Sequence, residues 1–368
     1  MTRLGIALAL SQTHSRKAIC QLARTSSRLA FFYDTLWETE EAWEGFELAG
    51  EDHLRHALQA GRGAILAPIH FGRYRWLPIA LAHQLERDVL LLIDQPNHQH
   101  FQADGTPEEW RERFPHFGRW NRIEAVSSHS PTVLWEMQRA LRQGRLVIMF
   151  IDGNSGMEGR LPDEDCVKVS FFGERIRVRR GIAALSAASG APIVPVCTRD
   201  RARHPPLLEF DTPLQPPSLA ASTRAERTAW SERSMAHLYA FLEQQVKRRP
   251  ARWEEWHLFP RWLDRKAQPF SAPAPGRVSG RPAQRVMSLQ YPHLWPVTLE
   301  GKTHLIDVKS LASLGSDPVL TELFEAAEEQ RRVETWLQAH MAFPSHLQLL
   351  KTLVAQGIIS MTEPAPQG

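Results

Sequence analysis

Runs of consecutive apolar residues alternate with segments of mixed polarity over the first two thirds of the chain. The runs at 64–69, 89–93 and 146–151 are apolar at every position, which is typical of strands buried on both faces of a parallel sheet. A shorter segment at 169–172 and a further run at 192–197 predict two more strands.

The segments between these runs carry apolar residues at helical spacing or small helix-forming residues. We predict helices at 14–37, 51–60, 74–86, 132–143 and 181–189. Strands separated by helices need crossover connections, so we predict an α/β fold with a mostly parallel sheet covered by helices. In such sheets, ligands bind in loops outside the carboxyl ends of the strands.

A change of composition divides the chain. The stretch 266–299 contains six prolines, and from Arg265 through Leu299 there are five basic residues and no acidic one. This composition is typical of an extended linker. We therefore predict a large domain at 1–265, a proline-rich basic linker at 266–299 and a small domain at 300–368.

The small domain has apolar residues spaced for three short helices, with strand-like segments at 304–308 and 358–361. Ser316 and the proline two residues later are residue types that start a helix. Three short helices with flanking strands predict a winged-helix-like fold for residues 300–368.

Composition and charge narrow the class of protein. The chain has 368 residues, 43% hydrophobic and 23% charged, which excludes collagen-like, coiled-coil and wholly disordered chains. The 44 Lys and Arg against 41 Asp and Glu give a formal charge of +3, so we predict no nucleic-acid partner. No apolar run reaches the roughly 18–20 residues of a membrane-spanning helix. We expect a cytoplasmic protein, with room for a peripheral contact at the inner membrane face.

Basic residues cluster locally at Arg73 and Arg75, at 175–180 and at 247–249. Such clusters suit an acidic carrier protein or lipid headgroups. The alternative is that they are solvated surface arginines and lysines without a partner.

Three polar residues end or directly follow buried apolar runs, namely His70, Asp94 and Asp152. His70 is followed by Gly72, so backbone N–H groups could approach a substrate closely there. A histidine in a strand-end loop suits a general base, because its ordinary pKa is about 6.5. Taken alone, a packed or surface histidine is the alternative.

Other chemical motifs are absent from the sequence. No GxSxG nucleophile elbow, GxxxxGK[ST] phosphate loop or GxGxxG fingerprint occurs. His98 and His100 lack a third ligand of usual spacing, so we predict no metal site. The three cysteines, at 20, 166 and 197, are too widely spaced for a disulfide framework, which indicates reduced thiols.

Several motifs, in order along the chain, resemble those of one family. They lie at 46–50, 57–58, 61–63, 70–72, 169–173 and 190–195, and in the tryptophan-rich stretch 250–262. Together they span about residues 20–265 and resemble the lipid A late acyltransferases, within the lysophospholipid acyltransferase superfamily.

This resemblance implies transfer of an acyl chain from an acyl carrier protein or a coenzyme A thioester to a hydroxyl or amine. The thioester would be a co-substrate, and no cofactor is implied. His70 would be the general base, while backbone N–H or cationic groups hold the oxyanion. The resemblance implies that Phe171, Phe172 and Gly173 line the acyl or acceptor pocket. We add Gly72, Arg73 and Arg177 as candidate substrate-binding residues, the last because it could meet a phosphate. Core packing is the alternative for the phenylalanines, and a solvated position for Arg177.

The sequence departs from the family's pattern five positions after the histidine, where an acidic residue orients the ring and this chain has Arg75. A cation there would oppose the imidazolium that forms during catalysis. Asp152 could supply the carboxylate instead. Alternatively, Arg75 contacts the oxyanion or a carrier phosphate while His70 acts alone, or catalysis is lost.

The tail loosely resembles the winged-helix peptide chaperone family of pyrroloquinoline quinone biosynthesis, on 305–307, the helix spacing and 357–359. This resemblance implies peptide binding by strand addition, so the acceptor could be a peptide as well as a lipid. A packing or dimerisation appendage is the alternative for the tail. The alternative for the whole chain is a catalytically degenerate acyltransferase scaffold that binds a peptide or a carrier protein.

Overall fold

A computed structural model describes most of the chain up to residue 264 and shorter pieces beyond it. The described residues are 2–10, 13–37, 45–103, 122–153, 165–201, 204–218, 223–264, 286–289, 294–299, 302–308, 313–316, 319, 322–323, 326–327, 335–336, 344–355 and 358–362. The chain divides into two compact units, a larger one at Gln21–Asp264 and a smaller one formed by Met1–Cys20 with Arg265–Gly368. All residues of the predicted site belong to the larger unit.

Strands alternate with helices along the larger unit. Its described strands are β1 (Glu47–Ala49), β2 (Ala64–Pro68), β3 (Val89–Ile93), β4 (Ile123–Ser127), β5 (Leu146–Ile148), β6 (Cys166–Phe171), β7 (Glu174–Arg179), β8 (Ile193–Arg201) and β9 (His204–Phe210). Seven of these described strands form one sheet in the order β1-β9-β8-β2-β5-β3-β4. Neighbours pair in parallel except β8 and β9, which are antiparallel.

The predicted helices are found close to their expected positions. The described helices are α1 (Thr2–Leu10), α2 (Arg16–Trp37), α3 (Glu51–Leu58), α4 (Leu77–His83), α5 (Gln95–Ala103), α6 (Val133–Arg142), α7 (Gly181–Ser189), α8 (Arg224–Arg248) and α9 (Phe259–Trp262). Single 3₁₀ turns cover Tyr74–Trp76, Pro250–Arg252 and Glu255–His257. The predicted helix at 74–86 therefore begins as a 3₁₀ turn and continues as α4.

The core of the larger unit is built on β2, which is buried at all five positions between β8 and β5. Leu66 belongs to a cluster with Leu54 of α3 and Leu81 of α4, while α7 and α8 also pack on β2 or β8. A strand covered on both faces needs apolar side chains in both directions, which explains the unbroken apolar runs. The predicted α/β class is confirmed.

The strand predicted at 169–172 lies in a separate antiparallel hairpin of β6 and β7 rather than in the main sheet. Its two-residue turn consists of Phe172 and Gly173, with φ of 51° and 76°. Positive φ at both positions matches the twist of the two strands, and glycine adopts it without steric cost.

The smaller unit contains short antiparallel strands and helical pieces. Its named elements are β10 (Val286–Leu289), β11 (Leu294–Leu299), β12 (Lys302–Asp307), β13 (Ser313–Ser316), α10 (Pro344–Ala355) and β14 (Ile359–Thr362). Strand β12 pairs with β11 and β13, and β10 pairs with β14. Buried side chains that include Leu305, Trp336 and Leu350 form its core. The winged-helix fold stays a prediction.

The last part of the predicted linker at 266–299 is not an extended linker, because β10 and β11 lie there. The prolines led us to predict a linker where a strand lies. Among the described strands, β11 is paired on one side only, and such an edge strand tolerates proline, which has no N–H. The strand also buries Leu294 and Trp295, which a linker would leave exposed. Residues 265–285 lie outside the described residues. Among the described helices, we find none with the length and apolarity needed to cross a membrane.

Candidate active site

His70 and Asp152 follow neighbouring parallel strands, β2 and β5, at the same edge of the sheet. Backbone pairing continues past the assigned end of β5, since the N–H of Ile151 donates to the carbonyl of Pro68 at 2.9 Å. This extension accounts for an apolar run, 146–151, that is longer than β5. It also brings the two polar side chains that follow the strands into contact.

Asp152 is fully buried, and its carboxylate accepts hydrogen bonds from three groups. Oδ1 lies 2.8 Å from Nδ1 of His70, and Oδ2 accepts from the indole N–H of Trp253 at 2.7 Å. The backbone N–H of His70 points at the same carboxylate, with N–O distances of 3.0 and 3.2 Å. A buried carboxylate needs such donors to offset its lost hydration, so this set of bonds holds it in place.

The His70 ring lies between two aromatic side chains. Phe150 stacks on it with 4.2 Å between ring centroids, and Tyr74 meets it edge to face at 4.8 Å. A carboxylate can only accept, so the bond to Asp152 assigns the proton of the neutral ring to Nδ1. Nε2 is then the basic nitrogen, and it has no hydrogen-bond partner in the part of the chain that the structure describes.

A tryptophan-rich segment runs antiparallel to the loop that carries the histidine. Phe71 and Trp253 form an isolated β-bridge, and the N–H of Glu254 donates to the carbonyl of His70 at 3.1 Å. This pairing brings residues about 180 positions apart in the sequence to one place. It explains how Trp253 reaches Asp152, and it sets two consecutive acidic residues beside the histidine.

Arg75, at the position where the resemblance implies an acid, forms an ion pair with Glu254. Nη1 and Nη2 each lie 3.3 Å from one carboxylate oxygen, in a bidentate arrangement. The Tyr74 hydroxyl donates to the same carboxylate at 3.0 Å. Burial raises the pKa of Glu254, and Arg75 opposes that rise. The positive charge at position 75 is therefore offset by an acid from the tryptophan-rich segment.

Glu255 lies between two histidines. Its Oε1 is 3.8 Å from Nδ1 of His70, and its Oε2 is 3.7 Å from Nε2 of His257. Burial raises the pKa of Glu255 to about 7, with the charge of His70 opposing the rise. Burial alone would lower the pKa of His70. The charge and hydrogen bond of Asp152, followed by the charges of Glu255 and Glu254, raise that pKa above its ordinary value instead.

The loop after the histidine is anchored to β8. Gly72 has φ of 62°, and a Cβ there would lie 3.3 Å from the carbonyl oxygen of Thr198, so glycine suits this position. Arg73 Nε donates to Asp200 Oδ1 at 3.0 Å, and Arg252 pairs with Oδ2. Burial raises the pKa of Asp200 although Arg73 opposes it. The substrate contacts of Gly72 and Arg73 stay predictions.

The end of β6 supports the buried acid indirectly, through Trp253. Phe171 is fully buried and packs edge to face on Trp253, with 5.6 Å between centroids, which makes it part of the core. Phe172 is half-buried against Trp256, and a Cβ on Gly173 would meet no atom within 4 Å. Substrate contact by these three residues stays a prediction, and Phe171 has the least surface for it.

Arg177 lies on the hairpin near Asp264. Its Nε is 3.9 Å from that carboxylate, to which Lys168 Nζ also binds at 2.8 Å. The hydrogen bond from Lys168 is the main cause of a lowered pKa for Asp264. Among the described contacts of His70 and Asp152, none involves Arg177, so its substrate contact stays a prediction.

Sequence reasoning missed Glu254 and Glu255, together with the indole donor of Trp253. The signal was present as two adjacent acids inside a tryptophan-rich motif, but the sequence does not say which loop that motif contacts. Asp94, the third residue at a strand end, begins α5 instead, where it accepts from the N–H of Asn97 at 2.9 Å.

The larger unit is thus an α/β domain with a histidine–carboxylate pair at the carboxyl edge of a mostly parallel sheet. The family model described as bacterial lipid A biosynthesis acyltransferase matches residues 28–264. The match covers more than half of the chain, and the chain belongs to this family. The resemblance of residues 20–265 to the lipid A acyltransferases is thus confirmed, and acyl transfer is the activity of the family. The resemblance of the tail to the peptide chaperone family stays a prediction. A search of curated proteins finds no match.

Proposed function

We propose that this chain transfers a fatty acyl group from an acyl carrier protein or coenzyme A thioester to a hydroxyl or amine, with His70 as general base and Asp152 as its partner. One observation carries the proposal: the 2.8 Å contact between Asp152 Oδ1 and His70 Nδ1 makes Nε2 the basic nitrogen. We further propose that it works in the cytoplasm, with a peripheral contact at the inner membrane face.

The reaction balances without a cofactor. The acceptor oxygen or nitrogen attacks the thioester carbonyl, and its proton passes to Nε2 of His70. The C–O or C–N bond forms, the C–S bond breaks, and the proton moves from Nε2 to the departing sulfur, which leaves as a thiol. No oxidation state changes, and no covalent acyl-enzyme is required.

Asp152 supports this cycle in two ways. It holds the ring by the contact at Nδ1, and its negative charge favours the imidazolium that exists between the two proton transfers. A positioned general base contributes about 10²–10⁴-fold to a rate. Since Glu254 offsets Arg75, the arginine is compatible with an active site, which favours an enzyme over a degenerate scaffold.

The test is intact-mass analysis with thiol detection. The protein is incubated with acyl carrier protein or coenzyme A thioesters and with amine, hydroxyl or peptide acceptors. We expect one acceptor class to gain the mass of the acyl chain, with one thiol released for each product. His70→Ala should lower this rate at least about 100-fold, the lower bound for a general base.

The matched control is His56→Ala, which removes an exposed histidine from α3 and should leave the rate unchanged. Equal activity of the His70→Ala and wild-type proteins would overturn the assignment. A wild-type protein that binds the carrier thioester but releases no thiol with any acceptor would favour the degenerate scaffold.

A further inference from the structure

Glu255 is a second carboxylate at the nitrogen of His70 that bonds Asp152. Its Oε1 lies 3.8 Å from Nδ1, against 2.8 Å for Asp152 Oδ1. A distance of 3.8 Å is too long for a hydrogen bond, so Glu255 acts on the ring through its charge. Its side chain is only 16% exposed, and a charge at such a depth is screened less than one in water.

The charged groups around the His70 ring are net negative, which favours its imidazolium form. Glu254 binds both terminal nitrogens of Arg75, so this cation is offset within its own pair. Asp152 and Glu255 then act on His70 together. The carboxylate that the family's pattern implies at position 75 is absent, and negative charge arrives from the tryptophan-rich segment instead.

Several titratable groups face this pair and belong to any account of its pH dependence. They are Asp152, Tyr74, Glu254, Arg75 and His257. Burial raises the pKa of Tyr74, so its hydroxyl stays neutral through the working range. Burial lowers the pKa of His257, which favours the neutral ring beside Glu255. Glu255, with a pKa of about 7, therefore changes its charge near neutral pH beside His70.

We propose that Glu255 is a positioning residue that acts through His70, by holding the imidazolium that forms while the acceptor gives up its proton. This inference rests on the proposed function and deepens it. Glu254 offsets Arg75, and Glu255 adds negative charge at the ring.

The sign of the pH effect follows from the charges. Glu255 has a pKa of about 7, so it carries its charge above that pH and loses it below. While charged, it favours protonation of His70. Replacing it with a neutral side chain should therefore lower the pKa of His70, so that the ring becomes a free base at lower pH.

The first test is the pH profile of kcat/KM for Glu255→Gln. We expect the acid limb to move to lower pH by about one unit, the small end of the effect of a neighbouring opposite charge. The rate at the alkaline plateau should fall about tenfold, since the transition state loses a favourable charge equivalent to about one pKa unit. Glu255→Asp keeps the carboxylate and should return the limb most of the way to its wild-type position.

The matched control is Glu232→Gln, which removes an exposed carboxylate from α8 and should change neither limb nor plateau. A purely structural role for Glu255 would lower the plateau rate without moving the limb. An unmoved limb would thus overturn the inference even if the variant were slow.

A second measurement separates this inference from the proposed function. The ring resonances of His70, assigned by their loss in His70→Ala, are titrated by NMR without substrate. A lower midpoint in Glu255→Gln supports the coupling, and an unchanged midpoint overturns it. If the wild-type protein transfers no acyl group while the midpoint still moves, the proposed function fails and the electrostatic coupling stands.

Discussion

Two charged groups flank the loop at 70–73, and their compositions are opposite. In the first, His70 lies beside the carboxylates of Asp152 and Glu255. In the second, the carboxylate of Asp200 is bound by the guanidinium groups of Arg73 and Arg252. We call them the histidine group and the arginine group.

The two groups differ in what pH can do to them. A guanidinium keeps its charge near neutral pH, and the arginine group is an ion network that anchors the loop to β8. The histidine group contains an imidazole and a carboxyl with a pKa of about 7, so it exchanges protons near neutrality. One group therefore holds the loop in place, while the other is suited to move a proton.

Disrupting the histidine group should have the greatest effect on activity. Asp152→Asn puts an amide where the carboxylate bonds Nδ1, so the ring loses both its assigned tautomer and its charge partner. We expect kcat to fall about 10²–10⁴-fold, the range for a disabled general base. Steady-state kinetics at pH 8 measures it, and a loss smaller than tenfold would speak against Asp152 as the partner.

The matching change in the arginine group is Asp200→Asn. It leaves Arg73 and Arg252 partly buried without their carboxylate, so we expect the free energy of unfolding to fall by about 1–3 kcal/mol. Urea unfolding at pH 7 measures the loss as a lower midpoint with an unchanged slope. Asp52→Asn, which breaks an exposed pair with Arg55, is the control and should cost less than about 1 kcal/mol. Equal losses in the two variants would contradict the anchoring role.

A charge reversal tests the link between Arg75 and Glu254. Arg75→Glu sets two carboxylates against each other, and we expect about a tenfold loss of kcat/KM, the effect of roughly 1.4 kcal/mol. The double variant Arg75→Glu with Glu254→Arg rebuilds the pair in reverse and should recover most of the loss. A double variant no better than the worse single variant would show that the pair does not couple.

The smallest effect concerns stability and pH in the histidine group. The folded pKa of Glu255, about 7, exceeds the ordinary value near 4.3, so between these values the folded state binds more protons than the unfolded chain. Stability contributed by this group therefore falls as pH rises from about 4 to 7. Glu255→Gln lacks that fall, so its stability relative to wild type should rise by on the order of 1 kcal/mol between pH 6 and pH 8. Urea midpoints at the two pH values would contradict this if the difference were constant.

Much of the fold could be predicted because burial leaves a direct trace in the sequence. The runs at 64–69, 89–93 and 146–151 are apolar throughout, and they form or extend β2, β3 and β5. Strands β10 and β11 were not predicted, because partial burial and proline interrupt the apolar pattern there. A strand at 169–172 was foreseen, but its partner β7 was not, because strand pairing is decided at long range.

The candidate site, too, could be predicted only in part from the sequence. The hydrophobic pattern alone indicates that His70 and Asp152 follow buried parallel strands and so lie at one edge of the sheet. That these strands, β2 and β5, are neighbours is a property of the folded chain, and it turns a shared edge into a 2.8 Å contact. Asp94 obeys the same sequence rule and takes no part, because β3 lies one strand further from β2.

The effect of the charge at position 75 could not be predicted from the sequence. The sequence determined that an arginine stands five residues after the histidine, and that fact alone suggests an impaired site. The tertiary structure decided the outcome, because the β-bridge between Phe71 and Trp253 delivers Glu254 and Glu255 from about 180 residues away. The effect of a charge depends on its distance from other charges and on its burial, and the order of residues specifies neither quantity.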